Sequence, residues 1–360
     1  MKKNQLVTLG KHIDILSGCA FPSSGFNRNN GVPLIRIRDI LSGKTETYYE
    51  GSYDLKYLIK KGDLLVGMDG DFNREYWKGT DALLNQRVCK ITPNPETLDK
   101  NFLYHFLQKE LDKIHATTDV VTVKHLSVKK IQDIKIRLPS LKEQKRIAAI
   151  LDKADAIRQK REQAIKLADD FLRAKFLEMF GTPANNIHRF PKGTIRDLVD
   201  SVNYGTSAKA SIDSGEYPIL RMGNITYQGR WDFTDLKYLD LSVKEKDKYL
   251  VKEGDLLFNR TNSKELVGKT AVYEEDRPMA FAGYLIRVRP NSIGNNYYIS
   301  GYLNSIHGKI TLMNMCKSIV GMANINAQEL QNIEILIPPK HLQDEYEIIY
   351  KKIKKGLSIY

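Results

Sequence analysis

The feature that most constrains this chain is that it resembles itself at a spacing of about half its length, which makes one supersecondary plan serve twice. Residues 8–14 (TLGKHID) align with 194–200 (TIRDLVD), and 32–40 (VPLIRIRDI) with 217–225 (YPILRMGNI). Residues 60–65 (KKGDLL) match 252–257 (KEGDLL), and the pairs Phe102-Leu103 and Phe106-Leu107 match Tyr298-Ile299 and Tyr302-Leu303. The clearest pair is LSVKKIQDIKIRLP at 126–139 against INAQELQNIEILIP at 325–338, where five apolar positions and the final proline coincide. In each copy a short helical turn should lead into an alternating strand, with Ile134, Ile136 and Leu138 on one face in the first and Ile333, Ile335 and Ile337 in the second. Two similar mixed domains are predicted, residues 1–140 and 182–339.

Between the copies, residues 141–180 contain no proline or glycine and are strong helix formers. Apolar side chains at three- and four-residue spacing form a stripe, and Gly181 followed by Pro183 supplies the stop. The spacing predicts a spacer helix over 141–181, a rod of roughly 60 Å at ~1.5 Å per residue. A stripe this long needs a partner. Residues 340–360 occupy the matching place in the second copy, with Leu342, Tyr346, Ile349, Tyr350 and Ile353 on one helical face, and antiparallel pairing of the two helices is expected. The fold class is therefore α+β, two tandem pseudo-symmetric domains of mixed structure separated by long antiparallel helices.

Composition narrows the partners. A formal charge of +13 and a pI near 9.3 attract polyanions, of which nucleic acid and acidic membrane are the commonest. The start (MKKNQLVTLGKHIDILSG) lacks the apolar run of a signal peptide, and no stretch reaches the roughly 18 apolar residues of a transmembrane helix. Cys19, Cys89 and Cys316 are far apart and outside metal-ligand spacing, which fits a reducing cytoplasm.

The sequence also lacks recognisable machinery for catalysis. There is no Asn-Pro-Pro-Tyr or Asp-Pro-Pro-Tyr loop for a flipped adenine, no Gly-x-Gly-x-x-Gly after a strand and no phosphate-cradling Gly-x-x-x-x-Gly-Lys loop. The histidines are scattered, and Asp69, Asp71 and Glu75 read as a polar loop rather than a Mg²⁺ site. No metal and no cofactor is expected in this chain.

What the divergent segments do contain is hydrogen-bonding chemistry suited to DNA, where Arg and Lys pair with guanine and Asn and Gln with adenine. In the first copy the candidates are Arg36 and Arg38 at a strand end, then Asn73, Arg74, Lys78, Gln86 and Arg87. In the second they are Arg221, Asn224, Tyr227 and Arg230, then Asn259, Arg260, Asn262 and Lys264. Asn73-Arg74 and Asn259 to Asn262 follow the Gly-Asp-Leu-Leu strands closely and read as equivalent loops. A shared frame with differing loops suits two readers of two sequences. Two other readings stay open: a DNA methyltransferase or nuclease with unrecognised motifs, and a repeat-built scaffold that binds no nucleic acid.

The junctions IRLPSLKEQKRIAAILDKADAIRQKR at 136–161 and IEILIPPKHLQDEYEIIYKKIKK at 333–355 carry a family resemblance. GDLLVGMDGDFNREYWKG at 62–79, LLNQRVCKI at 83–91 and GDLLFNRTNSKELVGKTAVY at 254–273 add to it. Over nearly its whole length the chain resembles the specificity subunit of type I restriction-modification systems. The resemblance implies two target-recognition domains, each reading half of a split, asymmetric site in double-stranded DNA, with the spacer helices setting the gap. It implies two methyltransferase subunits that bring S-adenosylmethionine to adenine, and motor-nuclease subunits that use ATP and Mg²⁺. Contacts with those partners are expected along the spacer helices, at Ile147, Leu151, Ala154, Ile157, Phe171, Leu172, Tyr346 and Ile349. Nothing after Tyr360 corresponds to DDFLRAKFLEMFG at 169–181, so the second spacer helix is expected to be about half as long as the first.

Overall fold

The computed structural model describes residues 5–118, 123–316 and 322–358. The chain divides into two compact units, Met1–Gln159 and Lys160–Tyr360. The first contains strands β1 (Gln5–Thr8), β2 (Ile13–Ser17), β3 (Phe26–Asn27), β4 (Val32–Ile35), β5 (Tyr48–Tyr49) and β6 (Leu58–Ile59). It continues with β7 (Leu64–Gly67), β8 (Arg74–Tyr76), β9 (Ala82–Leu84), β10 (Val88–Pro93) and β11 (Lys135–Leu138). Its helices are α1 (Lys100–Ala116), α2 (Val128–Gln132) and the first half of α3 (Leu141–Phe180). An antiparallel sheet runs β2-β10-β7-β8, a second sheet runs β3-β5-β4-β9-β6 with β4 parallel to β9, and β1 pairs with β11. Helix α1 lays Leu103, Leu107 and Leu111, four residues apart and fully buried, against Leu64, Val66 and Ile91 of the first sheet.

The second unit repeats this plan. Its strands are β12 (Lys192–Thr194), β13 (Val199–Tyr204), β14 (Tyr217–Leu220), β15 (Lys237–Leu239), β16 (Leu250–Val251) and β17 (Leu256–Asn259). They continue with β18 (Thr261–Asn262), β19 (Thr270–Val272), β20 (Met279–Phe281), β21 (Leu285–Pro290), β22 (Ala323–Asn324) and β23 (Glu334–Leu336). Its helices are α4 (Val243–Tyr249), α5 (Asn296–Asn304), α6 (Ile306–Met315), α7 (Ala327–Gln331) and α8 (Lys340–Ser358). The order β13-β21-β17-β19 reproduces β2-β10-β7-β8, β14 runs parallel to β20 as β4 does to β9, and β12 pairs with β23 as β1 does with β11. The shared Gly-Asp-Leu-Leu has a physical cause. Gly62 (φ +91°) and Gly254 (φ +87°) take the left-handed conformation of a tight turn. The next residue closes that turn, Lys60 N donating to Asp63 Oδ2 and Lys252 N to Asp255 Oδ2, each at 2.9 Å.

Helix α3 has the predicted bounds and stops at Gly181 (φ +67°). Its first half is tied to the first unit by Asp152, which accepts from Asn101 Nδ2 at 3.1 Å and lies 2.7 Å from His105 Nε2. Its second half belongs to the second unit, where Phe176 stacks on Tyr298, Phe180 meets Tyr298 edge-on, and both meet Tyr346 of α8 with ring centroids 5.4 and 5.9 Å away. Further up α3, Leu172 and Asp169 share a groove with Tyr350, Ile353 and Leu357, and Arg161 and Ile165 share another with Lys351 to Leu357. Falling numbers on α3 therefore meet rising numbers on α8, which is the antiparallel pairing expected. One expectation needs correction. Leu172 and Tyr346, expected to face partner subunits, are buried within the second unit: Tyr346 closes the aromatic cluster under α5, and Leu172 lies in the groove that α3 shares with α8. Leu151, Ala154, Ile157 and Phe171 are exposed, as are Ile150 and Leu167, while Ile147 and Ile349 are half-buried.

A buried amide repeats at the head of each spacer helix. Gln144 donates from Nε2 to the carbonyls of Thr97 and Pro139 at 2.9 Å, and its Oε1 accepts from Asp99 N at 2.8 Å. Gln343 donates likewise to Ile293 O and Pro338 O at 2.9 Å. Both side chains are fully buried, five residues past the proline that ends β11 or follows β23, and each ties a spacer helix to the loop before α1 or α5.

Candidate nucleic-acid interface

In the first unit, the ends of the two central strands of the β2-β10-β7-β8 sheet, β7 and β10, meet the segment before α2. Met68 N donates to Arg87 O at 2.9 Å, Leu126 N to Met68 O at 2.7 Å, and Asp69 forms an antiparallel bridge with His125. This brings three polar side chains together. Asp69 Oδ2 lies 2.6 Å from Arg87 Nη1, and its Oδ1 lies 2.6 Å from His125 Nδ1. The carboxylate is mostly covered, with 18% of its side chain exposed, whereas Arg87 and His125 stand out at 54% and 62%. Gln86 is exposed beside Arg87.

The second unit builds the same crossing with other side chains. Arg260 N donates to Tyr284 O at 3.0 Å, Ile325 N to Arg260 O at 2.9 Å, and Thr261 pairs with Asn324. Thr261 Oγ1 donates to Asn324 Oδ1 at 3.3 Å, Tyr284 is exposed, and the Arg260 guanidinium lies 4.9 Å from the Tyr204 ring centroid. Asn262 is half-buried, accepting from Ser263 N, and Lys264 is exposed.

The equivalence expected between the Asn73-Arg74 and Asn259-Asn262 segments is not the one the hydrogen bonds draw. Gly67 N donates to Asn73 O and Asn259 N to Lys269 O, and Val66 pairs with Arg74 where Phe258 pairs with Thr270. The counterparts of Asn73 and Arg74 are thus Lys269 and Thr270, and the counterpart of Arg260 is Met68. Arg74 also lies flat on Tyr104, 3.5 Å from the ring centroid, in a stack continued by Tyr76.

Three other candidates are corrected by burial. Asn224 is 2% exposed and closes a turn, accepting from Arg221 N at 2.8 Å and donating to Asp232 O and Asp235 O. Asn259 is fully buried at the end of β17. Arg230 is bound to α3, 2.5 Å from Asp169 Oδ1 and 3.2 Å from Ile165 O, so its charge is consumed within the unit. Arg221 is paired with Asp235 at 2.7 Å. Arg36 and Arg38 are exposed around the turn closed by Asp39, and Lys78 lies 3.4 Å from Glu75. Tyr227 is exposed beneath Lys309, whose ammonium burial pulls down to about 8, with Arg173 and Lys269 adding repulsion.

Asp69, Asp71 and Glu75 do not converge. Asp69 serves Arg87 and His125, Glu75 accepts from the Tyr104 hydroxyl at 3.1 Å, and among the described residues no three His, Cys, Asp or Glu side chains gather for a metal ion. The residues that sequence reasoning missed are His125, Tyr284 and Asn324, and the bracing role of Asp69. A signal existed: His125 and Asn324 stand one residue before the clearest repeat pair, and Asp69 and Thr261 stand at the same distance after Gly62 and Gly254.

Residues 1–167 and 190–358 match the family described as the type I restriction modification DNA specificity domain. The chain is 31% identical over 374 residues to the EcoBI specificity subunit of Escherichia coli, covering 95% of this chain and 77% of that protein. It is 24% identical to the EcoKI specificity subunit of Escherichia coli strain K12, covering 89% and 75%. The fold is similar to the crystal structure of a type I restriction-modification S subunit from M. genitalium, with a TM-score of 0.65 at 15% identity over 100% of this chain and 91% of that one.

Proposed function

The chain belongs to the type I restriction-modification DNA specificity family, and from that premise we propose that it reads a split, asymmetric duplex site, one half-site per recognition domain. It is a specificity subunit, a recognition component rather than an enzyme. The recognition domains are residues 1–140 and 182–339, and spacer helix α3 sets the gap between half-sites. Methyltransferase subunits, two per complex, bring S-adenosylmethionine to adenine, and motor-nuclease subunits use ATP and Mg²⁺ to cleave.

The observation that carries this reading is the pair of equivalent crossings at the ends of the central strands, matched in backbone hydrogen bonding and different in every polar side chain. Backbone identity preserves the frame, and side-chain difference is what two unlike half-sites require. The exposed apolar residues Ile150, Leu151, Ile157, Leu167 and Phe171 along α3 support docking of the methyltransferase subunits there. Among the described residues no helix is long and apolar enough to cross a membrane, and the reading has the complex work on cellular DNA in the cytoplasm.

Selection of duplexes from a randomised library by the full chain tests the reading. The expected product is two short defined blocks separated by undefined sequence of fixed length. Affinity should fall roughly a thousandfold between about 50 and about 200 mM salt if about six phosphates are neutralised. An unsplit consensus, or binding indifferent to salt, would contradict it.

A further inference from the structure

We infer that the paired crossings are the base-reading centres of this chain, and that Arg87, braced by Asp69, reads a guanine in the first half-site while Asn324 reads an adenine in the second. The inference rests on the split-site reading above and assigns the side chains and the bases.

Three backbone relations put the two crossings in register. Met68 corresponds to Arg260 and Leu126 to Ile325 through one hydrogen bond, Arg87 to Tyr284 through the next, and Asp69–His125 to Thr261–Asn324 through the bridge. Two apolar members of this frame are kept, Leu65 and Leu257 being both fully buried, as are Leu126 and Ile325, whereas buried Met68 gives way to half-buried Arg260. The exposed members change in chemical kind, from guanidinium and imidazole to phenol and amide. A site whose scaffold is held constant while its donors and acceptors are replaced is a site that discriminates.

The first crossing has the chemistry of guanine recognition. A guanidinium offers five N–H donors, and Asp69 engages Nη1; Arg87 has no other side-chain partner among the described residues. The remaining donors can meet the O6 and N7 acceptors of guanine in the major groove. The carboxylate also limits the rotamers of a long side chain, so less freedom is lost when the base is bound. His125, on the other carboxylate oxygen, adds a second exposed polar side chain beside Arg87. At the second crossing the Asn324 side chain carries a donor and an acceptor on one amide, the complement of adenine N7 and N6. Thr261 holds the Oδ1 end of that amide at 3.3 Å, so Asn324, like Arg87, is oriented from its neighbouring strand.

Selection with variants of the full chain tests the assignment. Wild type should enrich a G·C pair at one position of one block and an A·T pair in the other. Arg87→Ala should flatten the guanine preference by between about fivefold and a hundredfold and leave the second block unchanged. Arg87→Lys, which keeps the charge but loses the fork, should flatten it too while preserving the salt slope. Asp69→Ala should blunt the same preference and Asp69→Glu retain most of it. Asn324→Ala should flatten the adenine preference alone. If Arg87→Ala weakens all duplexes equally, Arg87 contacts phosphate and the assignment is overturned with the split-site reading intact. If wild type enriches no split sequence, that reading fails and takes the assignment with it.

Discussion

Phe180→Ala should destabilise the second unit by about 3–5 kcal/mol and leave unfolding of the first unit unchanged. The ring is fully buried at the last turn of α3, 4.7 Å from Tyr298, 5.0 Å from Phe176 and 5.9 Å from Tyr346, measured between ring centroids. Truncation removes the buried apolar area and three aromatic contacts together. It also leaves a space that cannot collapse, because Tyr298 is held by its hydroxyl donating to Leu336 O at 2.8 Å. The two tryptophans make the measurement domain-specific, since Trp77 lies in the first unit and Trp231 in the second. Urea unfolding followed by Trp231 emission in a Trp77→Phe background should show the loss, and Trp77 emission in a Trp231→Phe background should not. An equal shift in both signals would mean that α3 is not anchored in the second unit as described.

Gln144→Leu should cost the first unit about 3 kcal/mol, because it takes the partner from three partly buried backbone groups at once. The side chain is fully buried and serves Asp99 N, Thr97 O and Pro139 O. Leucine fills nearly the same volume, so the loss reads the hydrogen bonds rather than a cavity. Asp99 is the N-cap of α1, accepting from Asn101 N and Phe102 N, so loosening it frays the first turn of that helix. Gln343→Leu in the second unit should cost less. The Gln343 amide makes the two equivalent donations, but its Oε1 is buried without a partner among the described residues, a penalty that leucine removes. Trp77 and Trp231 emission again separate the units, and a larger loss for Gln343→Leu would reverse the argument.

Much of the architecture could be read from the residues alone. The internal repeat anticipated the matched sheets, since Leu9 and Ile195 both donate from the backbone to the residue just before the closing strand, Ile134 or Ile333. The bounds of α3 were legible because no glycine or proline interrupts 141–180 and Gly181 ends it. The site was less legible, for reasons of register. Val66 pairs with Arg74, eight residues on, whereas Phe258 pairs with Thr270, twelve residues on. The return loop of the second unit is thus four residues longer, so distance past Gly-Asp-Leu-Leu stops marking equivalent positions beyond the strand. Asn224 and Asn259 misled for another reason: asparagine reads as surface, yet Asn224 is buried as the clasp of its own turn. Leu172 and Tyr346 lay on the predicted stripes, but periodicity cannot distinguish a face closed by the chain's own core from one left for a partner.

On the reading proposed above, two unlike readers act together on one duplex and α3 sets the distance between their half-sites. Inserting seven helix-forming residues into the exposed stretch of α3 near Lys160 adds about two turns, or roughly 10 Å, with little net rotation. The sequence selected from a randomised library should then keep both defined blocks and widen the undefined gap by about three base pairs, at ~3.4 Å each. An unaltered gap, or a change in the blocks themselves, would show that the helix does not measure the site.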